Sequence, residues 1–575
     1  MTGGVGRSRA GSVVFAALLV AGPQVAYAQR RQPNIINYSF FITLSDSSDT
    51  VAVIAFLGFG HSQSEADTLD LDLVDMTVDA VSASGSDADT ACVRRMAEAS
   101  RAGQSALCAS EMPSMPFTYD GRKLRIALPK PTSRRQADDE GQGQAVAIRY
   151  HGVPTDGLIV SHRARGGRAY FGDNWPQRAR YWLPTVDRPD DKAEVMLVVR
   201  GPRQWKVIAN GRPVFIENRR RGEWSWWESH PIPTYTMVIG AGEFTVSTHR
   251  PVVRERDTIP IQVWAYAEDS AFADSVPFKN ATEIVETMER LVGPFPYEKL
   301  AHVESSTKFG GMENSSAIFY AERPYVERRM GEGVVRHETA HQWFGDAVTP
   351  RHFHHLWLSE GFASYFDLVI GAVLHGDSVL TAGMRRNSES YFASSVVDRP
   401  ILDTTVTDYV TLLNANNYPK GAWVLHMLRG LLGDSTFFRG IREYYRRYRD
   451  STALSDDFRH MMEDAAGRDL EWFFRQWLRQ PGYPQLDVAW RQQGVGRVRL
   501  DVTQIQPAAW GRFRFARLTV EFRAADGRVA RRVYSVEGNV SVLFADLPFV
   551  PQTVTVDPDG ALLLKTSVRE ATRAP

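Results

Sequence analysis

Cysteine is scarce in this chain, which has only Cys92 and Cys108 among 575 residues. Two cysteines exclude a small disulfide-rich scaffold and a zinc module held by several thiolates. The pair lies sixteen residues apart in a polar segment, away from every pattern of metal ligands. In an exported protein we expect one structural disulfide, whose loop closure contributes about 3 kcal/mol; two unbonded thiols are the alternative.

No charge of one sign dominates, since Lys plus Arg and Asp plus Glu both number 67. This balance gives no overall field that would attract nucleic acid or an anionic membrane. After residue 28 we find no continuous apolar run of the roughly eighteen residues that a membrane-spanning helix needs. We therefore predict no nucleic-acid partner and no membrane attachment of the mature chain.

The first 28 residues have the pattern of a secretory signal. Arg7 and Arg9 precede the apolar run SVVFAALLVAG, and Ala26-Tyr27-Ala28 supplies a small-x-small cleavage motif. The run is too short to span a bilayer comfortably, which disfavours a membrane anchor. We predict that residues 1–28 are removed and that the mature protein is periplasmic or extracellular.

The chain is long enough for several domains, and its residue patterns divide it into three parts. Residues 29–247 contain short β-rich runs such as VAVIAFLGF and AEVMLVVRG, which predict an antiparallel β domain. Residues 248–484 are dominated by helical spacing, as in FKNATEIVETMERLVGP, where Ile284 and Met288 share one face. Residues 485–575 again have the pattern of strands. The sequence therefore predicts a multidomain α+β protein.

The most informative motif is HETAH, in a segment with a helical pattern. His337 and His341 are four residues apart, so on a helix both imidazoles project from one face and can bind one ion. Glu360 follows after eighteen intervening residues, enough for a turn and the start of a second helix. The alternative third ligands are His352, His354 and His355.

Two imidazoles and one carboxylate hold zinc while a fourth position stays open to water. Zinc lowers the pKa of that water and polarises a carbonyl, and Glu338, next to the first histidine, is the candidate general base. We predict one Zn²⁺ per chain and hydrolysis of an amide bond. Two amphipathic helices with solvated polar side chains are the structural alternative.

Upstream stands FGGMENSSAIFY, with Gly310, Gly311, Met312, Glu313 and Asn314. With GGMEN, HExxH and a later Glu in this order, the chain resembles the zinc aminopeptidases of the aminopeptidase N family, which also contains leukotriene hydrolase. The resemblance implies that GGMEN binds substrate, with Glu313 holding the free α-amino group and the glycine backbone running beside the peptide. A fixed carboxylate there positions the first peptide bond, and a capped amine would leave it unpaired.

The resemblance also implies a role for Tyr418, which lies fifty-eight residues after Glu360 in NNYPKG. Its phenol would stabilise the oxyanion of the tetrahedral state. The same resemblance implies a thermolysin-like catalytic domain and a small C-terminal β-sandwich. The large C-terminal helical domain of many members is not among these residues, so we expect a more open cleft.

Three positions depart from the family pattern. His355 stands five residues before Glu360, where an acid is usual, so the resemblance does not extend to the contact made by that acid. Pro419 follows Tyr418 where Glu is common, and proline is compatible with a first helical turn. Asp173 stands where the family often has a Gln that lines the pocket for the first side chain. We hypothesise that Asp173 favours Arg or Lys there; an aspartate that caps a turn is the alternative.

The sequence thus predicts a zinc aminopeptidase that acts on peptides with a free N-terminus. A leukotriene-hydrolase-like epoxide hydrolase also has two glycines in this motif, but the helical domain that would close its lipid channel is missing from the chain. A thermolysin-like endopeptidase shares the zinc motif, but Glu313 would block a chain that extends past the amine. A non-catalytic scaffold of the same fold would tend to lose the ligands or the base, and all are present.

Overall fold

A computed structural model of the chain describes residues 33–60, 67–83, 113–128, 144–162, 167–214 and 222–571. The predicted signal segment and the pair Cys92 and Cys108 lie outside the described residues. The removal of the signal and the disulfide therefore stay predictions.

The N-terminal region is built from strands that form three sheets. The largest sheet has seven strands in the order β12-β13-β10-β1-β2-β7-β4, and it is antiparallel except for the parallel pair β1 and β10. The others have the orders β11-β14-β9-β8 and β3-β6-β5. The strands are β1 Asn34–Thr43, β2 Val51–Gly60, β3 Thr68–Asp72, β4 Thr77–Ala83, β5 Phe117–Tyr119, β6 Lys123–Ala127, β7 Gln144–Gly152, β8 Leu158–His162, β9 Arg168–Gly172, β10 Lys192–Arg200, β11 Lys206–Ala209, β12 Arg212–Pro213, β13 Glu223–Pro233 and β14 Ile239–Gly242.

A five-stranded sheet, in the order β15-β16-β17-β19-β18, opens the middle region. Its strands are β15 Thr245–Val253, β16 Thr258–Ala265, β17 Leu300–Ser305, β18 Gly311–Met312 and β19 Ala317–Ala321. This sheet was not predicted from the sequence, because β16, β17 and β19 pair in parallel and every residue of β17 is buried, which removes the alternation of a half-exposed strand. The boundary predicted at 247/248 cuts β15, so this region begins no later than Thr245.

Helices fill the rest of the middle region, as the periodicity predicted. They are α1 Ser270–Ser275, α2 Ala281–Leu291, α3 Glu322–Val326, α4 Glu332–His341, α5 Trp357–His375, α6 Ser378–Phe392, α7 Gly421–Leu432, α8 Asp434–Tyr448, α9 Ser455–Ala466 and α10 Glu471–Phe474. The short strands β20 Val348–Pro350 and β21 Ser451–Ala453 pair in parallel between them. Helix α2 buries Ile284, Val285 and Met288 on one face, as expected.

Helix α5 lies at the centre of this helical layer. The segment Phe353–His375 is long and apolar enough by composition to cross a membrane, but 78% of its most apolar window is buried inside the protein. Its apolar surface is therefore used in packing against its neighbours, as in the core helix of a globular domain.

The C-terminal region consists of two small sheets, with the strand orders β26-β23-β22-β28 and β25-β24-β27. Residues such as Val488, Leu500 and Leu518 on alternate positions of their strands are buried. This arrangement agrees with the predicted β-sandwich. The strands are β22 Gln485–Gln492, β23 Arg497–Gln504, β24 Phe515–Arg523, β25 Val529–Val536, β26 Val540–Asp546, β27 Thr553–Val556 and β28 Lys565–Glu570.

Lys192 on β10 connects the N-terminal region to the loop that follows α4. Its Nζ donates hydrogen bonds to the backbone oxygens of Asp346 at 2.8 Å, Ala347 at 2.9 Å and Ser451 at 3.3 Å. One ammonium group thus fixes three chain segments that are far apart in sequence.

Replacing Lys192 with methionine is expected to reduce the free energy of unfolding by about 2 kcal/mol, because it removes the donor of three backbone hydrogen bonds. Urea denaturation measures the effect. Lys279→Met is the matched control, because Lys279 is exposed, and its effect is expected to stay within about 0.5 kcal/mol. Equal effects of the two changes would contradict a structural role for the Lys192 contacts.

Candidate metal centre

Helix α4 presents two histidines to the same point. His337 and His341 lie one turn apart, and their Nε2 atoms are 3.1 Å from each other. The Nδ1 atom of His341 lies 3.1 Å from the backbone oxygen of Phe344 and 3.0 Å from the Oγ of Ser359. An Nδ1–H donated to the Phe344 oxygen leaves the Nε2 lone pair of His341 free to bind a metal.

Glu360, in the first turn of α5, completes the cluster. Its Oε2 lies 3.3 Å from Nε2 of His337 and 3.2 Å from Nε2 of His341. This oxygen is buried and accepts no hydrogen bond within the described part of the chain. Two imidazole nitrogens and one carboxylate oxygen, all within 4.8 Å of one another, fit the ligand set of an open zinc site.

The other histidines considered as third ligands lie elsewhere. Nε2 of His354 lies 2.9 Å from the backbone oxygen of Val406, and Nδ1 of His355 accepts a hydrogen bond from the backbone N–H of Ser455. His352 is exposed. His355, which replaces the usual acid, thus joins the start of α5 to the start of α9.

The electric field of the cluster favours a cation. Burial by itself would lower the pKa of His341, but the carboxylates of Glu360 and Glu313 raise it to about 10. Burial would raise the pKa of Glu360, but the two imidazoles lower it to about 2. A buried site in which carboxylates outnumber positive groups is suited to a divalent cation.

Glu338 projects from α4 beside the ligands, and its side chain is buried. Burial raises its pKa well above the usual range, His341 opposes the shift, and the charges of Glu313 and Glu360 add to it. A Cβ atom on Gly311 would lie 2.2 Å from Oε1 of Glu338. Only glycine therefore allows strand β18 to approach this carboxylate so closely.

Glu313 follows β18 and faces the same cluster. Its carboxylate groups with Glu338 and His341, with ligand atoms within 4.8 Å of one another. Burial raises its pKa to about 7, and the backbone oxygen of Glu313 accepts a hydrogen bond from Nε2 of Gln342 at 2.7 Å. The next residue, Asn314, is fully buried and does not line the cavity; its backbone oxygen accepts a turn hydrogen bond from Ala317.

Tyr418 reaches the cluster from the turn Asn416–Lys420, which precedes α7 and contains Pro419. Its ring stacks on that of His337, with centroids 6.0 Å apart and planes inclined by 9°. Burial and the nearby charge of Glu360 raise the pKa of Tyr418 well above its usual value, so the phenol keeps its proton. The proline does not prevent Tyr418 from facing the site.

These groups line a cavity of about 300 Å³. Sequence reasoning missed four apolar residues of its wall, which are Trp175, Phe309, Val334 and Leu413. Phe309 directly precedes Gly310 and Trp175 is two residues from Asp173, so adjacency in sequence could have identified two of them.

The structure places Asp173 differently from our hypothesis. Asp173 is fully buried and is not among the residues that line the cavity. Its Oδ1 accepts a hydrogen bond from Nη2 of Arg178 at 2.8 Å, and its Oδ2 accepts one from the backbone N–H of Lys308 at 3.0 Å. The alternative interpretation, an aspartate that holds a turn, fits this geometry better, because both oxygens are already used inside the protein.

Comparison with known proteins agrees with this geometry. Residues 277–477 match the Peptidase family M1 domain, a segment that contains GGMEN, all three ligands and Tyr418. The chain therefore contains a Peptidase family M1 domain. It is 31% identical over 406 residues to Probable aminopeptidase 2 of Sulfurisphaera tokodaii, covering 66% of this chain and 49% of that protein. It is 27% identical over 328 residues to Aminopeptidase N of Lactococcus lactis, covering 53% and 38%. The chain thus spans about half the length of these curated relatives, or less.

Solved structures show the same M1 fold. The M1 zinc metallopeptidase from Deinococcus radiodurans aligns with a TM-score of 0.64 at 23% identity, covering 79% of this chain and 95% of that one. Aminopeptidase A of Legionella pneumophila, in complex with aspartic acid, aligns with a TM-score of 0.73 at 16% identity, covering 94% and 60%. The predicted multidomain α+β architecture is confirmed.

Proposed function

We propose that this protein is a zinc-dependent aminopeptidase that hydrolyses the first peptide bond of peptides with a free N-terminus. The observation that carries the proposal is the buried carboxylate of Glu313 beside the ligand cluster. It supplies a negative charge at a short, fixed distance from the reacting centre, where a cationic amine can be bound. A peptide extended beyond its amine would meet this carboxylate instead of open space.

His337, His341 and Glu360 are the residues that would hold the zinc, which supplies Lewis acid chemistry at the scissile carbonyl. Glu338, which lines the cavity beside the ligand cluster, takes the proton of the attacking water and passes it to the leaving nitrogen. Tyr418 keeps its proton and donates a hydrogen bond to the oxygen that becomes negative. Glu313 binds the substrate amine and so positions the first peptide bond.

The test compares p-nitroanilides of one amino acid in free and N-acetylated form. We expect hydrolysis of the free form only, because an acetylated amine cannot pair with Glu313. Glu313→Gln is expected to lower kcat/KM for the free form by about a hundredfold, as for loss of one partner of a buried charge pair. Glu304→Gln is the control, because Glu304 is also buried but lies outside the cavity. Cleavage of both forms at similar rates would indicate an endopeptidase.

Removal of the metal is expected to abolish activity. Purified protein should contain about one zinc per chain, measured by elemental mass spectrometry. A chelator should remove both the zinc and the activity. Added zinc should restore both. Full activity of a protein stripped of metal would contradict the proposal, and metal-loaded protein inactive on peptides would revive the epoxide hydrolase alternative.

Export remains part of the proposal. It rests on Arg7, Arg9 and the motif Ala26-Tyr27-Ala28. Cell fractionation followed by sequencing of the mature N-terminus tests it, and we expect periplasmic or extracellular protein that starts at Gln29.

A further inference from the structure

The cavity lining includes two aromatic residues that are neither metal ligands nor the amine-binding Glu313. Trp175 and Phe309 both line the cavity, and their rings meet edge to face with centroids 5.9 Å apart. They come from the N-terminal and the middle region and lie 134 residues apart in sequence. A third residue fixes the positions of the two rings relative to each other.

Arg178 contacts both of them. Its Nε donates a hydrogen bond to the backbone oxygen of Trp175 at 2.7 Å, and its guanidinium carbon lies 5.5 Å from the centre of the Phe309 ring. The remaining nitrogens donate to Oδ1 of Asp156 at 3.1 Å and Oδ1 of Asp173 at 2.8 Å. The planar guanidinium is thus fixed in one orientation behind the aromatic wall.

The same network fixes the segment that leads into the glycine pair. Asp173 accepts the backbone N–H of Lys308, and the Nζ of Lys308 donates to Asp156 at 2.7 Å. Phe309 and Gly310 follow directly. The position of Arg178 is therefore coupled to the Phe309 ring and to the start of the edge beside which the substrate lies.

The charges of the network balance. Asp156 and Asp173 are paired with Arg178 and Lys308, two negative groups with two positive ones. No carboxylate of this network is left to pair with a charged side chain of a substrate. A charged side chain against Trp175 and Phe309 would lose water without gaining an ion pair, whereas an apolar side chain gains from the same burial.

The position of the first side chain of a bound peptide is restricted by the two groups bonded to its Cα. Its Cα is bonded both to the amine, held by Glu313, and to the scissile carbonyl at the ligand cluster. The side chain must then contact the rest of the cavity lining, whose side chains are those of Trp175, Phe309, Met312, Val334 and Leu413 and are all apolar.

We infer that Arg178 is a positioning residue that holds Trp175 and Phe309 as an apolar subsite, and that the enzyme prefers peptides whose first side chain is apolar. This inference rests on the proposed function. It replaces the basic preference that Asp173 suggested from sequence.

The first experiment measures kcat/KM of the wild-type protein for Leu-, Phe-, Arg- and Glu-p-nitroanilides. We expect Leu and Phe to exceed Arg and Glu by about tenfold or more, the scale of discrimination an apolar pocket provides. Equal rates, or a faster Arg substrate, would overturn the inference and leave the aminopeptidase proposal standing. Hydrolysis of none of the four would overturn both, because the subsite depends on the aminopeptidase activity.

The second experiment tests Arg178 itself. Arg178→Met is expected to raise KM for the Leu and Phe substrates about tenfold, with kcat and zinc content nearly unchanged, and Arg178→Lys is expected to restore part of the loss. Arg254→Met is the matched control, because Arg254 also pairs with a carboxylate, that of Glu289, and with a backbone oxygen away from the cavity. If Arg178→Met and Arg254→Met had the same effect on every substrate, Arg178 would be merely structural.

A third variant keeps the inference testable if Arg178→Met does not fold. Trp175→Ala removes one wall without breaking the ion pairs, and it is expected to reduce the ratio of the Phe to the Arg rate by about tenfold. An unchanged ratio in folded Trp175→Ala protein would contradict the subsite.

Discussion

Glu338→Gln is expected to lower kcat by about a thousandfold, within the range for loss of a general acid–base group. Glutamine has nearly the shape of glutamate but cannot accept the proton of the attacking water. Because Glu338 is not one of the three ligands, we expect zinc content to stay near one per chain. Steady-state kinetics and metal analysis on the same preparation measure both quantities.

Glu332→Gln is the control for this change. Glu332 lies on the same helix α4, where it pairs with Arg336 and does not line the cavity. We expect its kcat to stay within about threefold of the wild type, in keeping with its position away from the reacting groups. Glu338→Gln protein that keeps zinc and more than a tenth of the wild-type kcat would show that another group takes the proton.

Tyr418→Phe is expected to lower kcat by two to three orders of magnitude, roughly the effect of removing one oxyanion donor. The ring can still stack on His337, so binding of the metal and of the substrate should change little. Only the hydrogen bond to the developing negative charge is lost. Presteady-state and steady-state rates with a free-amine anilide measure the loss in the chemical step.

The matched control for Tyr418 is Tyr409→Phe. Tyr409 lies in the same connecting segment and packs against Phe353 and His354, outside the cavity. Its hydroxyl is not needed for the reaction, so its kcat should remain near that of the wild type. A similar loss in both variants would mean that the segment is generally sensitive to change.

The metal cluster could be predicted because most of it is local. The spacing of His337 and His341 on one helix determines their common direction, and helical periodicity is readable from sequence. The spacing made Glu360 the candidate third ligand, with three nearby histidines as alternatives, and the resemblance supported Glu360. The structure distinguishes them by the hydrogen bonds that His354 and His355 make elsewhere.

The rest of the site depends on contacts between residues far apart in sequence. Trp175 and Phe309 are in contact although they lie 134 residues apart, and neither segment contains a sequence pattern that predicts this contact. The hypothesis about Asp173 was wrong because the direction of its side chain depends on Arg178 and on the backbone N–H of Lys308, which is distant in sequence. The five-stranded sheet was not predicted because both faces of β17 are buried, so its sequence lacks the alternation of apolar and polar residues that marks a half-exposed strand.

The most direct test of the central claim is a time course of digestion of one decapeptide with a free N-terminus and of the same peptide with an N-acetyl group. Mass spectrometry monitors the products of both. We predict a ladder of products that lose one residue at a time from the N-terminus of the free peptide, with the acetylated peptide intact. The ladder should vanish after zinc is removed. Internal fragments from both peptides would contradict the assignment of Glu313 as the amine anchor and of the protein as an aminopeptidase.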